Sequence, residues 1–447
     1  MKPIATPPDF TKLVLSHPQQ IIELLSTGEA TDLVQHSNEN YLHWHDFRFR
    51  PMPQGVTPET GWALLKISRF AQMKRLGFKG IDGTDFGYWL PDAIQRGLHS
   101  IDQNATGQIL IDEPAIRPGD RDRYLFNSLM EEAIASSILE GAATTRKKAK
   151  EMLREERKPR NRGEQMVLNN YRTMRRIKEL SASELSIQML SQLQASMTAG
   201  TLDDESAAGR FRGADEEVQV VDMMDGWILH TPPPAADLDR RIRLLCSFAN
   251  GTPALSFMHP VVKAIILHFW LAYEHPFVDG NGRTARALFY WFLLKQKYRL
   301  MEFLPISRII LKAPSKYVRA FQFTETDAGD LTYFISFNVR ALRLAIEELK
   351  LYMLKKQREL NQAKSQLRKL PGLNHRQMEI LQHALRHPDA TYTIRRHRNI
   401  HGVVYQTART DLFDLEKKGF LSTMKRGRTY IFLPADHLKR KLKLVKP

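Results

Sequence analysis

The chain has 447 residues, 43% of them hydrophobic and 26% charged, which is ordinary globular composition and excludes wholesale disorder. Its single cysteine, Cys246, excludes an intrachain disulfide, thiolate zinc fingers and iron–sulfur clusters, and it suits a reducing cytoplasm. The net charge of +17 is localised: residues 351–447 hold 22 Lys and Arg against 7 Asp and Glu, whereas the rest holds 44 against 42. A polyanion is therefore the expected partner of the last fifth of the chain alone, the plainer alternative being a solvated basic surface.

The N-terminus, MKPIATPPDF, has no apolar core, so no secretory leader is expected. The run ALFYWFLL at 287–294 falls far short of the ~20 residues that cross a bilayer, and no membrane partner is expected. In chain order, residues 11–26 are helical in pattern, and 41–45 are aromatic and irregular. His43 and His45 alternate there, but two histidines without further ligands make a weak metal signal. A helix is predicted over 60–76. A long one follows over 121–157, with Leu125, Leu129, Ala133, Ile134 and Ile138 at helical spacing. Two further helices are expected over 164–194. Residues 217–221 and 227–230 are β-prone and flank the turn 222–226, a hairpin signal, and the prolines at 232–234 stop the second strand. From 236 the chain is helical almost to 366. The linker to the last domain lies at 364–372, ending in Pro371-Gly372. The expected division is 1–115, mixed and helical; 116–350, with a core of about 190–340; and 371–447.

The most informative stretch joins two apolar runs, 261–273 and 287–294, both suited to buried helices. Between them stand His275, Pro276, Phe277, Asp279, Gly280, Asn281, Gly282, Arg283 and Arg286. Ionisable groups placed between buried helices must pair with each other or with a ligand. Pro276 stops the first helix just after His275. Gly280 and Gly282 let backbone N–H groups approach a ligand, and they open a helix whose N-terminus favours anions. Arg283 and Arg286, three apart, are expected to clamp phosphates. Asp279 is a hard oxygen ligand suited to Mg²⁺, and His275 is a base that works near neutral pH. The pattern points to metal-assisted phosphate transfer; an ion-paired loop capping two helices is the alternative. Phe277 and His268 are expected in the core.

Residues 275–286 match the signature H-x-F-x-[DE]-G-N-G-R-x-x-R, and the chain thereby resembles the Fic family. Ser136-Ser137-Ile138-Leu139-Glu140-Gly141 is similar to that family's inhibitory motif [ST]-x-x-x-E-[GN], and the hairpin around 218–230 stands in the place of its target-docking flap. The resemblance covers roughly 121–350. It implies a mainly α fold, a Fic-type helical bundle with a β-hairpin flap. It also implies transfer of AMP from ATP, with Mg²⁺, to a Ser, Thr or Tyr hydroxyl of a target protein. His275 would deprotonate that hydroxyl, Asp279 hold Mg²⁺, and Gly280, Asn281, Gly282 and Arg283 form the anion hole. Arg286 would grip the γ-phosphate and Glu140 would inhibit. Residues 315–317 lie where the family often contacts adenine. Removal of AMP, or transfer of another group, stays open beside adenylylation.

Residues 375–386, 393–399 and 403–418 are helical in pattern, and a basic hairpin tip at 425–428 follows. Three helices and a hairpin resemble a winged helix-turn-helix. Gln406, Thr407, Arg409 and Thr410 at the start of the third helix, with Lys425, Arg426 and Arg428 on the wing, are the candidate contacts to double-stranded DNA. A module for homodimerisation or intramolecular docking is the alternative, and a DNA-binding regulator with a silent or sensory site is the rival for the whole chain.

Overall fold

The computed structural model describes residues 4–25, 28–105, 118–222, 225–251, 257–368, 372–387, 389–426 and 429–441. They form two compact units, Met1–Pro114 with Arg121–Glu347, and Ala115–Asp120 with Glu348–Pro447.

The first unit opens with helices α1 (Phe10–Ser16), α2 (Pro18–Leu25), α3 (Gly28–Glu39), α4 (Trp44–Phe47) and α5 (Pro58–Gln72). The helix expected to reach 76 stops at Gln72, and β1 (Lys74–Lys79) pairs antiparallel with β2 (Asp85–Tyr88). The intervening turn contains Asp82-Gly83, with Gly83 at φ +80°, and Gly80 N–H donates to the Thr84 carbonyl. Burial holds this hairpin in place: Phe78 stacks on Trp270 with centroids 3.9 Å apart, and Phe86 packs edge-on against Tyr273 at 5.2 Å. Helix α6 (Asp92–Ala105) follows.

The helix expected over 121–157 is two helices, α7 (Pro118–Leu139) and α8 (Arg146–Arg154). Gly141 breaks it. Ala142 N–H donates to the Ser137 carbonyl and Gly141 N–H to that of Ile138, with Gly141 at φ +81°. This double bond pattern closes a helix C-terminus around a left-handed residue, which glycine supplies without steric cost. Glu140 is thereby set at the cap itself.

Helices α9 (Arg162–Leu180) and α10 (Ile187–Thr198), the short hairpin β3 (Val220–Val221) and β4 (Ile228–His230), and α11 (Leu238–Asn250) lead to the centre. There α12 (Pro260–Glu274) and α13 (Asn281–Lys295) are almost wholly buried, as their unbroken apolar runs require. Pro260 sits in the first turn of α12, where its missing N–H costs nothing, and His259 caps it by accepting from Val261 N–H. Helices α14 (Ile306–Leu311), α15 (Pro314–Thr326) and α16 (Thr332–Arg368) complete this series.

In the second unit, α17 (His375–Arg386), α18 (Ile394–His401) and α19 (Tyr405–Lys417) pack around Leu381, Ala408, Leu412, Leu415 and Phe432. Gly402, at φ +62°, ends α18. Strands β5 (Tyr392–Thr393), β6 (Leu421–Arg426) and β7 (Thr429–Pro434) form one antiparallel sheet in the order β5-β7-β6, and α20 (Leu438–Lys441) follows. Asp411 is buried and binds Arg376, His397 and Asn374, so one carboxylate ties α17, α18 and α19 together. No described helix is long and apolar enough to cross a membrane.

Candidate active site

Helix α12 ends at His275 in the left-handed region, φ +45°, a conformation a non-glycine residue holds only where its surroundings enforce it. Arg212 provides the enforcement: its Nε donates to the His275 carbonyl, its backbone N–H to Pro276 O, and its Nη2 to Pro233 O. His275 Nδ1 lies 3.2 Å from the Ala272 carbonyl. A carbonyl only accepts, so the proton sits on Nδ1 and Nε2 is left with a lone pair. Burial above all pulls the imidazole down to about 4, with the Ala272 carbonyl and Glu140 opposing and His230 and Arg212 adding to the fall. His275 is thus neutral at pH 7.

The loop beyond it is held open by side chains that bind backbone. Asn281 accepts from Phe277 N–H (2.9 Å) and donates to Phe277 O (2.7 Å). Gln194 donates to Asp279 O (3.0 Å) and accepts from Gly209 N–H (2.6 Å). Gly280 has φ +85°, and a Cβ there would lie 2.8 Å from Thr198 Cγ2. Phe277 is fully buried. The free N–H groups at the start of α13 face this loop, a setting that suits anions.

The two arginines do not close on a common partner. Arg283 is fully buried and donates to Met197 O (2.8 Å) and to Asp279 Oδ2 (3.2 Å). Arg286 binds Ser136 through Nε to Oγ (2.8 Å) and Nη2 to O (3.0 Å), and its Nη2 meets Glu140 Oε1 at 2.9 Å. The expected two-arginine clamp is therefore divided: Arg283 braces the loop, and Arg286 alone meets an outside acid. Burial would raise the Glu140 carboxyl, but Arg286, with Arg283 and His275 behind it, holds it below the ordinary carboxylate range. Arg286 must also offset the unfavourable C-terminal dipole of α7. A Cβ on Gly282 would lie 2.2 Å from Glu140 Oε1, so the carboxylate rests on the bare backbone at the start of α13.

Asp279 keeps a side chain 35% exposed, with Oδ1 accepting from Gly280 N–H at 2.5 Å. His268 is buried and pushed down to about 3, mainly by burial and then by Arg286, and its Nε2 lies 2.9 Å from the Tyr317 hydroxyl. Tyr317 stands against Phe321 and Phe334, whereas Ser315 and Lys316 are exposed. Of the three expected near adenine, Tyr317 thus belongs to the aromatic packing. Arg212, Gln194 and His230 were missed by sequence reasoning; they act through backbone carbonyls and carry no local motif. In the second unit Gln406, Arg409, Thr410 and Lys425 are exposed and Thr407 is half-buried. Arg409 lies over the Phe413 ring and Lys425 over that of Tyr430. Arg426 ends β6, and Arg428 lies outside the described residues.

A neutral histidine, a glycine-opened helix N-terminus and a buried arginine thus stand together in a helical core. Residues 184–293 match the model of the Fic/DOC family. The protein adenylyltransferase Fic of Nematostella vectensis is 28% identical over 140 residues, 31% of this chain and 29% of that protein. Its counterpart in Drosophila ananassae is 33% identical over 108 residues, 24% of this chain and 20% of that protein. The chain therefore spans less than a third of the length of these curated relatives. A Fic family protein from Desulfovibrio desulfuricans has a similar structure, with a TM-score of 0.54, 19% identity, and coverage of 78% of this chain and 98% of that one. Fic-1 from C. elegans gives a TM-score of 0.50 at 16% identity, covering 78% and 90%. At those identities the likeness is one of fold.

Proposed function

We propose that this protein is a protein adenylyltransferase that moves AMP from ATP to a Ser, Thr or Tyr hydroxyl of a target protein. The observation that carries this is the neutral His275, with Nε2 free, set at the mouth of the glycine-opened N-terminus of α13. His275 Nε2 takes the hydroxyl proton as the oxygen attacks the α-phosphorus. The bond from that phosphorus to the bridging oxygen breaks, and pyrophosphate leaves. The N–H groups of α13 and the Arg286 guanidinium stabilise the charge on the phosphates. Asp279 offers the single, half-exposed carboxylate that a Mg²⁺ already carrying ATP phosphates and water needs, and the described residues contain no group of three His, Cys, Asp or Glu that would compete for it. Such an ion would neutralise phosphate charge.

Glu140 supplies inhibition in this reading, because its carboxylate takes the Arg286 partner and the space over Gly282 that a γ-phosphate would use. The second unit is read as a winged helix-turn-helix that binds double-stranded DNA, supported by its three helices, its β-hairpin and its basic charge. The buried Cys246 and the reducing environment it suits agree with the cytoplasm. Incubating Glu140→Gly protein with ³²P-α-labelled ATP, Mg²⁺ and a cell lysate tests the activity. Labelled protein bands that vanish with His275→Ala support it, and their absence in the Glu140→Gly protein overturns it.

A further inference from the structure

The β3–β4 hairpin is the surface a protein substrate would meet in this reading. Val221, Trp227 and Ile228 are exposed there, whereas the His230 side chain, on the same hairpin, is only 8% exposed. Its Nε2 lies 2.7 Å from the Tyr273 carbonyl, two residues before His275. Its Nδ1 lies 2.8 Å from Glu325 Oε2 on α15. A carbonyl oxygen and an ionised carboxylate both only accept, so both ring nitrogens must donate, and only the imidazolium can do so. A buried cation is costly unless paired, and the Glu325 contact supplies the partner.

We propose that His230, as a doubly donating imidazolium, is a positioning residue that fastens the docking hairpin to the catalytic helix and so sets the distance from a docked hydroxyl to His275. This rests on the adenylyl-transfer reading for its purpose, though not for its chemistry. The groups around His230 bear the charge out. Glu325 from α15 and Glu274 from α12 favour it, and Glu274 is itself paired with Arg241. The Tyr273 phenol, ring centroid 4.8 Å away, accepts from Ile81 N–H and is held neutral by burial. His275 is neutral and adds no opposing charge; it is instead itself lowered by the charge on His230. The balance lies above the ordinary histidine range despite burial, because Glu325 and the Tyr273 carbonyl outweigh it. With a raised folded value, the fastening is complete below the ordinary histidine range and is lost as pH rises through the raised one.

The test uses the full chain in two arms. Ring ¹⁵N NMR, assigned by loss of one signal in His230→Gln, should show His230 doubly protonated at pH 7, and Glu325→Gln should return its titration toward the ordinary range. In the second arm, the initial rate of lysate-protein labelling by Glu140→Gly protein is followed against pH. That rate should fall as His230 deprotonates. Adding His230→Phe should lower it about tenfold, with ATP affinity within about twofold, because only alignment of the protein substrate is disturbed. His230→Gln, whose amide donates at any pH, should recover part of the rate and flatten the profile. A singly protonated ring at pH 7, or His230→Phe labelling at the parental rate, overturns the proposal. If no variant labels any protein, the adenylyl-transfer reading fails instead, and the NMR arm decides the fastening by itself.

Discussion

Glu140 and Gly282 compete for one space. The carboxylate sits where a Cβ at 282 would be, 2.2 Å from Oε1, and it is drawn there by Arg286 at 2.9 Å. In the adenylyl-transfer reading proposed above, a triphosphate seated in line for attack needs the same guanidinium and the same bare backbone, so acid and phosphate would exclude each other. Small displacements of reacting atoms cost large factors in rate, and Glu140→Gly should raise transfer on the order of 10²-fold. Arg286→Ala in that background should abolish the gain. Initial rates with labelled ATP decide it; a Glu140→Gly protein no faster than its parent ends the inhibitory reading.

Gly282→Ala separates the two occupants. The colliding atom is the end of a flexible side chain, so Glu140 can swing away and the melting temperature should hardly move. A phosphate cannot swing away. Adding Gly282→Ala to Glu140→Gly should therefore remove most of the transfer gained, again by about 10²-fold, since the methyl group remains where the nucleotide must sit. Full activity in the double variant would show that the space over Gly282 is not the phosphate site.

His275 carries the acid side of the pH profile. Its value of about 4 means that protonation does not limit transfer above pH 5.5, and removing Glu140, which raises it, shifts the limit further down. Rates of the Glu140→Gly protein should hold steady from pH 7 to 5.5, whereas a decline centred near 6.5 would mean a solvated imidazole. Stability behaves differently. His43 and His268, both pushed down to about 3 chiefly by burial, are neutral in the fold together with His275. Below the ordinary histidine value of about 6.5 the unfolded chain binds protons these groups refuse, costing up to ~1.4 kcal/mol per histidine per pH unit. Melting followed by tryptophan fluorescence should fall steadily from pH 6.5 toward 4, and an unchanged melting temperature at pH 5 would refute their buried neutrality.

The part of this site legible in the sequence is the part that is local. Residues 275–286 declare themselves because two glycines, two arginines, an aspartate and a histidine interrupt two apolar helices. Glu140 is 146 positions from Arg286, and its arrival depends on the Gly141 cap that turns a single expected helix into two. Resemblance supplied that residue; periodicity did not. The division of labour between Arg283 and Arg286 was not legible, because helical spacing puts them on one face but says nothing of the Met197 carbonyl or of Ser136. The β1–β2 hairpin had a signal in Asp82-Gly83, masked by the helical pattern before it. His230 and Arg212 had none: each acts on a backbone carbonyl distant in sequence, Tyr273 O at the end of α12 and His275 O just beyond it.

The basic unit gives the last prediction. Its charge excess is spread over the whole unit, yet of the expected contacts the described side chains that reach solvent are specific: Gln406, Arg409 and Thr410 near the start of α19 and Lys425 on β6. Thr410 spends its hydroxyl on the Gln406 carbonyl, which leaves Arg409 and Lys425 as the stronger candidates for a duplex. If they bind phosphates, DNA affinity must fall steeply with salt, because each neutralised phosphate releases condensed counterion. Replacing Arg409 and Lys425 by Ala in the full chain should weaken binding uniformly across sequences and flatten the slope of log affinity against log salt by about two units. Both rings beneath these cations remain, so folding should be unaffected. Fluorescence anisotropy with a labelled duplex from 50 to 200 mM salt measures the slope; a full chain without affinity at the low end would leave the second unit as a docking or dimerisation module.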